Sequence, residues 1–328
     1  VTAALFSENT GEISGMFTSS AQSQSSGEYY LDVYQKDPST NNNQEIQFAI
    51  AYGHFKGSGS AVPQYASVGF SPSRAVYKQY ANTLLNAGDE QFTVTSVHPS
   101  SSANLEQFYA VNFQRTRMKE KIDPGNWELH VSGNTTPIKL IDDSTVSDGT
   151  VTEAGRQYFI RSGTIDAGLF SGDTYHYGVV YPDMGVLILD TAAIDGQVGL
   201  TVDSSSYAYS STAVTVSNAN TTHFFHHLSG SSTAQVGYFA ARNKETIHST
   251  HYFVRVKNNE FNFSNNPTFT SGSAGTFANA SFFRDPKSYI TTIGMYNDNN
   301  ELLAVAKLSK PLLKTFSREA LVRVKLEF

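Results

Sequence analysis

From Gln91 onward the chain is cut into short apolar runs, each closed by turn residues, and this spacing is the strongest constraint on its fold. The runs are Phe92–Val97, Phe108–Arg115, Trp127–Ser132, Ile138–Ile141, Gln157–Ser162, Tyr177–Tyr181 and Val186–Asp190. The last two surround Pro182-Asp-Met-Gly185, in which Pro presets φ and Gly is free to turn either way. A parallel sheet needs a crossover of a dozen or more residues between strands. Turn signals every 8–12 residues or so leave no room for one and indicate antiparallel hairpins instead. Two earlier segments continue the pattern. Glu28–Lys36 places Tyr30, Asp32 and Tyr34 on one face, and Gln44–Lys56 alternates Ile46, Phe48, Ile50 and Tyr52. Between the N-terminal segment and these strands, Thr18–Gly27 reads as a low-complexity loop or arm.

One segment carries the helical period. Ser71 is placed to N-cap it, Pro72 falls at the first helical position, and Gly88 stands where a C-cap is expected. Val76, Tyr77, Tyr80, Leu84 and Leu85 recur at spacings of three and four. The amphipathic pattern predicts a helix over residues 71–86 lying across a sheet, with core packing preferred to a peripheral interface. The chain is therefore expected to be mainly β: antiparallel sandwich or barrel-like sheets, this one amphipathic helix, and a β-rich C-terminal module. A boundary is placed in the polar stretch Gly196–Thr222, giving domains 1–200 and 201–328.

In the C-terminal forty residues, Ile290–Tyr296 and Glu301–Lys307 flank Asn297-Asp-Asn-Asn300, a hairpin signal because Asn and Asp tolerate positive φ. Val322, Val324, Leu326 and Phe328 then alternate with Arg323, Lys325 and Glu327. A final strand of this kind is expected to be docked, since free termini otherwise fray. The hairpin at Ile290–Lys307 is its expected partner, and donation to a neighbouring subunit is the alternative. The candidate assembly residues are Leu321, Val322, Val324, Leu326, Phe328, Tyr296 and Trp127. For Trp127, after Asp123-Pro-Gly-Asn126, core packing competes with an exposed aromatic face.

Composition narrows the function. Charged residues make up only 16%, against roughly 25% for an average soluble protein, while hydrophobic content is 39% and aromatic content 12%. The net charge of -6 and the absence of a Lys/Arg block speak against nucleic acid as a partner. No cysteine is present, which removes disulfides, Cys-ligated zinc and a Cys nucleophile. Val1–Gln24 shows no signal-peptide pattern, and no apolar run approaches the roughly 18 residues of a membrane span, so membrane insertion is not expected.

The motifs that carry chemistry are thin. His223, His226 and His227, with His248 and His251 beyond, are of the ligand type for zinc. On a strand, however, adjacent His226 and His227 would face opposite sides, and no fourth ligand is evident. Asp142-Asp143, with Glu120 and Asp123 upstream, contains the carboxylates of a glycosidase but no sign of catalytic spacing. The Gly-rich pieces Gly53–Ser60 and Gly272–Gly275 lack phosphate-loop spacing, and no GxSxG elbow occurs. No catalytic residue, metal or cofactor is expected.

Several blocks together resemble virion structural proteins of contractile-tailed phages, particularly cyanobacterial myoviruses. They are AYGHFKGSGS (51–60), FSPSRAVYKQY (70–80), RMKEKIDPGNWEL (117–129), LIDDS (140–144), YGVVYPDMGVLILD (177–190) and FVRVKNNEFNFSNNPTF (253–269). IGMYNDNNELLAVAKLSKP (293–311), followed by EALVRVKLEF (319–328), is similar to a C-terminal module of tail-associated proteins. The resemblance implies a non-enzymatic particle subunit in the tail or baseplate region. Such a protein is made in the host cytoplasm and carried outside in the virion, with other virion proteins and copies of itself as partners. A receptor-binding adhesin for host surface glycan is the alternative, and a carbohydrate-active enzyme trails both.

Overall fold

In the computed structural model, the described residues are 1–19, 29–60, 71–133, 137–198, 219–230 and 237–327. Most of the predicted arm at Thr18–Gly27, most of the boundary segment and the interface candidate Phe328 lie outside the described residues. The chain forms two compact units, Val1–Thr246 and Ile247–Phe328.

Unit 1 begins with β1 (Thr2–Ala4), β2 (Glu12–Ile13), β3 (Phe17–Thr18), β4 (Tyr30–Tyr34) and β5 (Ile46–His54), followed by helix α1 (Pro72–Leu84). Next come β6 (Gln107–Phe113), the short helix α2 (Arg115–Met118), β7 (Lys121–Val131), β8 (Ile138–Asp142), β9 (Thr150–Thr152) and β10 (Gly155–Thr164). Then follow β11 (Gly168–Leu169), β12 (Gly178–Tyr181), β13 (Val186–Asp190), helices α3 (Thr191–Val198) and α4 (Ala219–Ser229), and β14 (Tyr238–Lys244). Among the described residues, these strands make one antiparallel sheet in the order β1-β14-β7-β8-β10-β12-β13-β6-β5-β4-β3, with β2 added at β14 and β9 and β11 at β10. The sheet curls until distant strands meet: Phe239 on β14 lies 5.4 Å from Phe48 on β5 and 5.2 Å from Phe113 on β6, ring centre to ring centre.

Period-2 alternation then divides the strand residues between two cores. On β6, Tyr109, Val111 and Phe113 point to the enclosed side, while Phe108 and Ala110 meet α1. Val180, Leu187 and Leu189 likewise face the first core, and Val179 and Ile188 the second. Burial on both faces explains why VVY and VLIL are continuous apolar runs.

Helix α1 forms as the pattern predicts and covers the second core with Tyr77, Ala81 and Leu84. Ser71 is its N-cap, accepting from the Arg74 N–H at 3.4 Å, and the Tyr77 hydroxyl donates to the Leu105 carbonyl at 2.7 Å. Two local expectations are corrected. The C-cap is Leu85 in an extended conformation, and Gly88, with φ of +98°, belongs to the following turn. Phe92–Val97 is not a strand: it makes a single bridge from Thr93 to Asn104 while burying Phe92 and Val94 under the helix. There, burial of side chains did not require a ladder.

Unit 2 comprises β15 (Ser249–Val256), β16 (Thr270–Ser271), β17 (Thr276–Phe277), β18 (Ser288–Tyr296), β19 (Leu302–Lys314) and β20 (Ala320–Glu327). They pair as three two-stranded sheets, β15–β20, β16–β17 and β18–β19.

Candidate assembly surface

The C-terminal strand is paired, as its alternation requires, but with a different partner from the one its sequence neighbourhood indicated. β20 runs antiparallel to β15 from Ser249↔Glu327 to Val256↔Ala320, whereas β18 and β19 pair with each other. One face of the β15–β20 ribbon carries Tyr252 and Val254 opposite Val324 and Val322; the other carries Phe253 opposite Arg323 and Arg255 opposite Leu321. Of the candidate interface residues here, Val324 is buried, Val322 and Leu326 are half-buried, and Leu321 is exposed. Arg255 reaches the Glu319 carboxylate at 2.7 Å, an exposed pair that stabilises the ribbon by at most about 1 kcal/mol.

The β18–β19 hairpin turns where its asparagines predict. Asn297 Oδ1 accepts from the N–H groups of Asn299 at 3.0 Å and Glu301 at 2.8 Å, and Asn300 takes a φ of +62°. Tyr296 and Leu302, directly opposed beside the turn, both face solvent, as does Leu303. At the other end the hairpin is anchored. The Ser288 hydroxyl donates to the Phe261 carbonyl, and the Lys314 ammonium is fully buried. That ammonium donates to Asn258 O at 2.9 Å, Asn262 Oδ1 at 3.0 Å and Thr315 O at 3.1 Å, which uses all three of its protons.

Beside this anchor lies a phenylalanine groove of about 540 Å³. Three of its lining rings pack on the buried Phe269, which stacks on Phe282 at 4.9 Å and meets Phe263 and Phe277 edge-on. Phe261, Phe283 and Phe316 stand largely in solvent around it, with Arg284 among the lining residues. No expectation from sequence pointed here. The signal was present as phenylalanines recurring without any strand or helix period through the Asn/Ser-rich segment Glu260–Phe283.

The unit as a whole buries little. Among the described residues, Val256, Phe269, Ala320 and Val324 are its only buried apolar side chains. Unit 2 is a quarter of the chain, yet among the described residues it holds 16 of the 24 exposed large apolar side chains. Isolated two-stranded hairpins are marginal in water and need a further strand or a packed face.

Trp127 belongs elsewhere. It lies within β7, fully buried in the first core of unit 1, and offers no surface to a partner. Its indole N–H donates to Asp142, which also accepts from the N–H groups of Gly125, at 2.9 Å, and Ser144, at 3.0 Å. Gly125 adopts a φ of +75°, where β7 is irregular against β14 between Ile122 and Trp127. Asp143 accepts from the Phe159 N–H at 3.0 Å, and burial raises its pKa. These two carboxylates hold loops together rather than opening onto a cleft.

His223, His226 and His227 stand on α4, not on a strand, because Phe224 and Leu228 bury one helical face and Phe224 stacks on Tyr109 at 4.3 Å. His227 Nδ1 lies 2.8 Å from the Ser132 carbonyl, while burial, followed by the neighbouring His223 and His227, lowers the pKa of His226. Among the described residues no three His, Asp or Glu side chains are grouped to hold a metal. An open cleft of about 460 Å³ in unit 1 is lined by Glu12, Glu128, Asp166, Tyr238 and Arg242. Glu12 accepts from the Tyr238 hydroxyl at 2.8 Å and Glu128 from the Ile165 N–H at 2.7 Å. Comparison of the chain with family models, with curated proteins and with solved structures found no match.

Proposed function

We propose that the protein is a non-enzymatic structural subunit of a phage particle, acting through protein–protein interfaces in the tail or baseplate region. The observation that carries the assembly role is the C-terminal unit, whose paired strands leave most of their apolar side chains at least partly in solvent. Exposed apolar side chains concentrated in one folded unit mark a surface that is covered in use. The placement in a particle rests on the sequence resemblance and on the low-charge composition. Copies of the chain and other virion proteins are the partners. Host-glycan recognition is the less favoured alternative, because the unit 1 cleft spends two of its carboxylates on internal hydrogen bonds.

Multi-angle light scattering on the purified full-length chain tests the assembly role. Oligomers that grow with concentration, with dye binding to exposed apolar surface lost as they form, are expected. A strictly monomeric chain that binds no such dye would refute it. A map of the intact particle with this chain located outside the tail and baseplate would refute the placement alone.

A further inference from the structure

The geometry points to a specific contact between copies: the tip of the β18–β19 hairpin of one chain seats in the phenylalanine groove of the next. This rests on the assembly reading above and names its partner. The tip is apolar and acidic. Tyr296 and Leu303 are 62% and 67% exposed, and Asp298 and Glu301 are its only charged residues from Tyr296 to Leu303. The groove offers the complement, with Phe261 72% and Phe283 81% exposed beside the cationic Arg284. The nearby Lys287 is already paired with Asp285 at 2.9 Å, so Arg284 is the cation that faces the incoming tip.

The tip cannot fill its own groove. The hairpin is anchored beside that groove at its base, through Ser288 on Phe261 and Lys314 on Asn262. At about 3.3 Å per residue, the strand from Ser288 to Tyr296 carries the tip about 26 Å away. Folding back would break the ladder from Thr292↔Lys307 to Tyr296↔Leu302. A hairpin tip seated in the groove must therefore come from another chain. Donor and acceptor surfaces differ, so copies pair either reciprocally, as a two-fold dimer, or head-to-tail, as a ring or filament.

Complementation of two surface variants in the full-length chain tests this. Leu303→Asp spoils the tip and keeps the groove; Phe283→Asp spoils the groove and keeps the tip. Both sites are solvent-exposed, so circular dichroism should match wild type. Each variant alone should associate at least about tenfold more weakly than wild type in light scattering, from the apolar burial that is lost. An equimolar mixture should form a one-to-one pair and stop there, because one intact contact remains. Charge reversal supplies a second readout: Arg284→Glu should weaken association, and Arg284→Glu with Asp298→Arg should restore it. Variants that assemble like wild type, or mixed variants that stay apart, would overturn the tip-in-groove contact while leaving the assembly role standing. A wild-type chain that never associates would overturn both.

Discussion

Replacing Asp142 with Ala would remove the acceptor that ties the irregular turn of β7 at Gly125 to the end of β8. Three donors depend on it: the Trp127 indole N–H and the backbone N–H groups of Gly125 and Ser144. Leaving a buried donor unpaired costs about 1–3 kcal/mol. The indole sits in the core and incurs the full penalty, while the two backbone groups are only partly buried and regain some water. The sum is about 2–6 kcal/mol, a large share of the roughly 5–15 kcal/mol that keeps a domain folded. Trp127 is the only tryptophan of the chain, so its emission reports unit 1 alone during urea unfolding. The midpoint should fall sharply, with the native emission already shifted toward that of a wetter indole. Trp127→Phe deletes one donor and should cost less in combination with Asp142→Ala than the separate changes predict, since the two share a bond. A loss below about 1 kcal/mol for Asp142→Ala would refute the claim that these bonds hold β7 to the end of β8.

Other outcomes follow from single features. Gly178→Ala should unfold or severely destabilise unit 1, because an added Cβ would lie 2.0 Å from the Ile188 carbonyl at a φ of +143°; recovery of a wild-type urea midpoint would show that β12 and β13 can separate cheaply. Burial, and then the nearby Asp190, push the Asp195 carboxyl up to about 8. The folded chain therefore holds a proton that the unfolded chain releases near pH 4, and stability falls as pH rises from about 4 to 8. Asp195→Asn should stabilise unit 1 by an amount that grows across that window and levels off above it; a gain independent of pH would contradict the assignment. Deleting Ala320–Phe328 removes the partner of β15 and should melt that ribbon, read as lost strand signal and faster proteolysis. The Trp127 transition should stay unchanged because unit 1 has its own core, and a matching loss there would show that the units are not independent.

Much of the architecture was legible locally. Alternation in IQFAIAY and QFYAVNF marked strands, the Ser71-Pro72 start marked α1, and Asn297–Asn300 marked a hairpin turn. These signals report which face of a segment is buried and where the chain turns, properties that neighbouring residues set through their own backbone preferences. The candidate site was legible only in part. Tyr296 and Leu321 do present apolar surface, while Trp127 does not: it is buried in the first core with its N–H on Asp142, a partner visible only once β7 and β8 pair.

The sequence by itself determined the β class, the position of the longest described helix and the docking of the last strand. The tertiary structure decided what each segment meets. β20 passes over the adjacent hairpin to pair with β15, because an edge is recognised by register and side-chain fit across space, and alternation is blind to which edge that is. The THFFHHL segment becomes helix α4 because Phe224 finds the face of Tyr109, a contact that no local period encodes. The phenylalanine groove arises in the same way, from rings brought around Phe269 by loops whose spacing follows no repeat. Periodicity is a property of one segment, whereas a partner is a property of two, and loop closure joins them only in the folded chain.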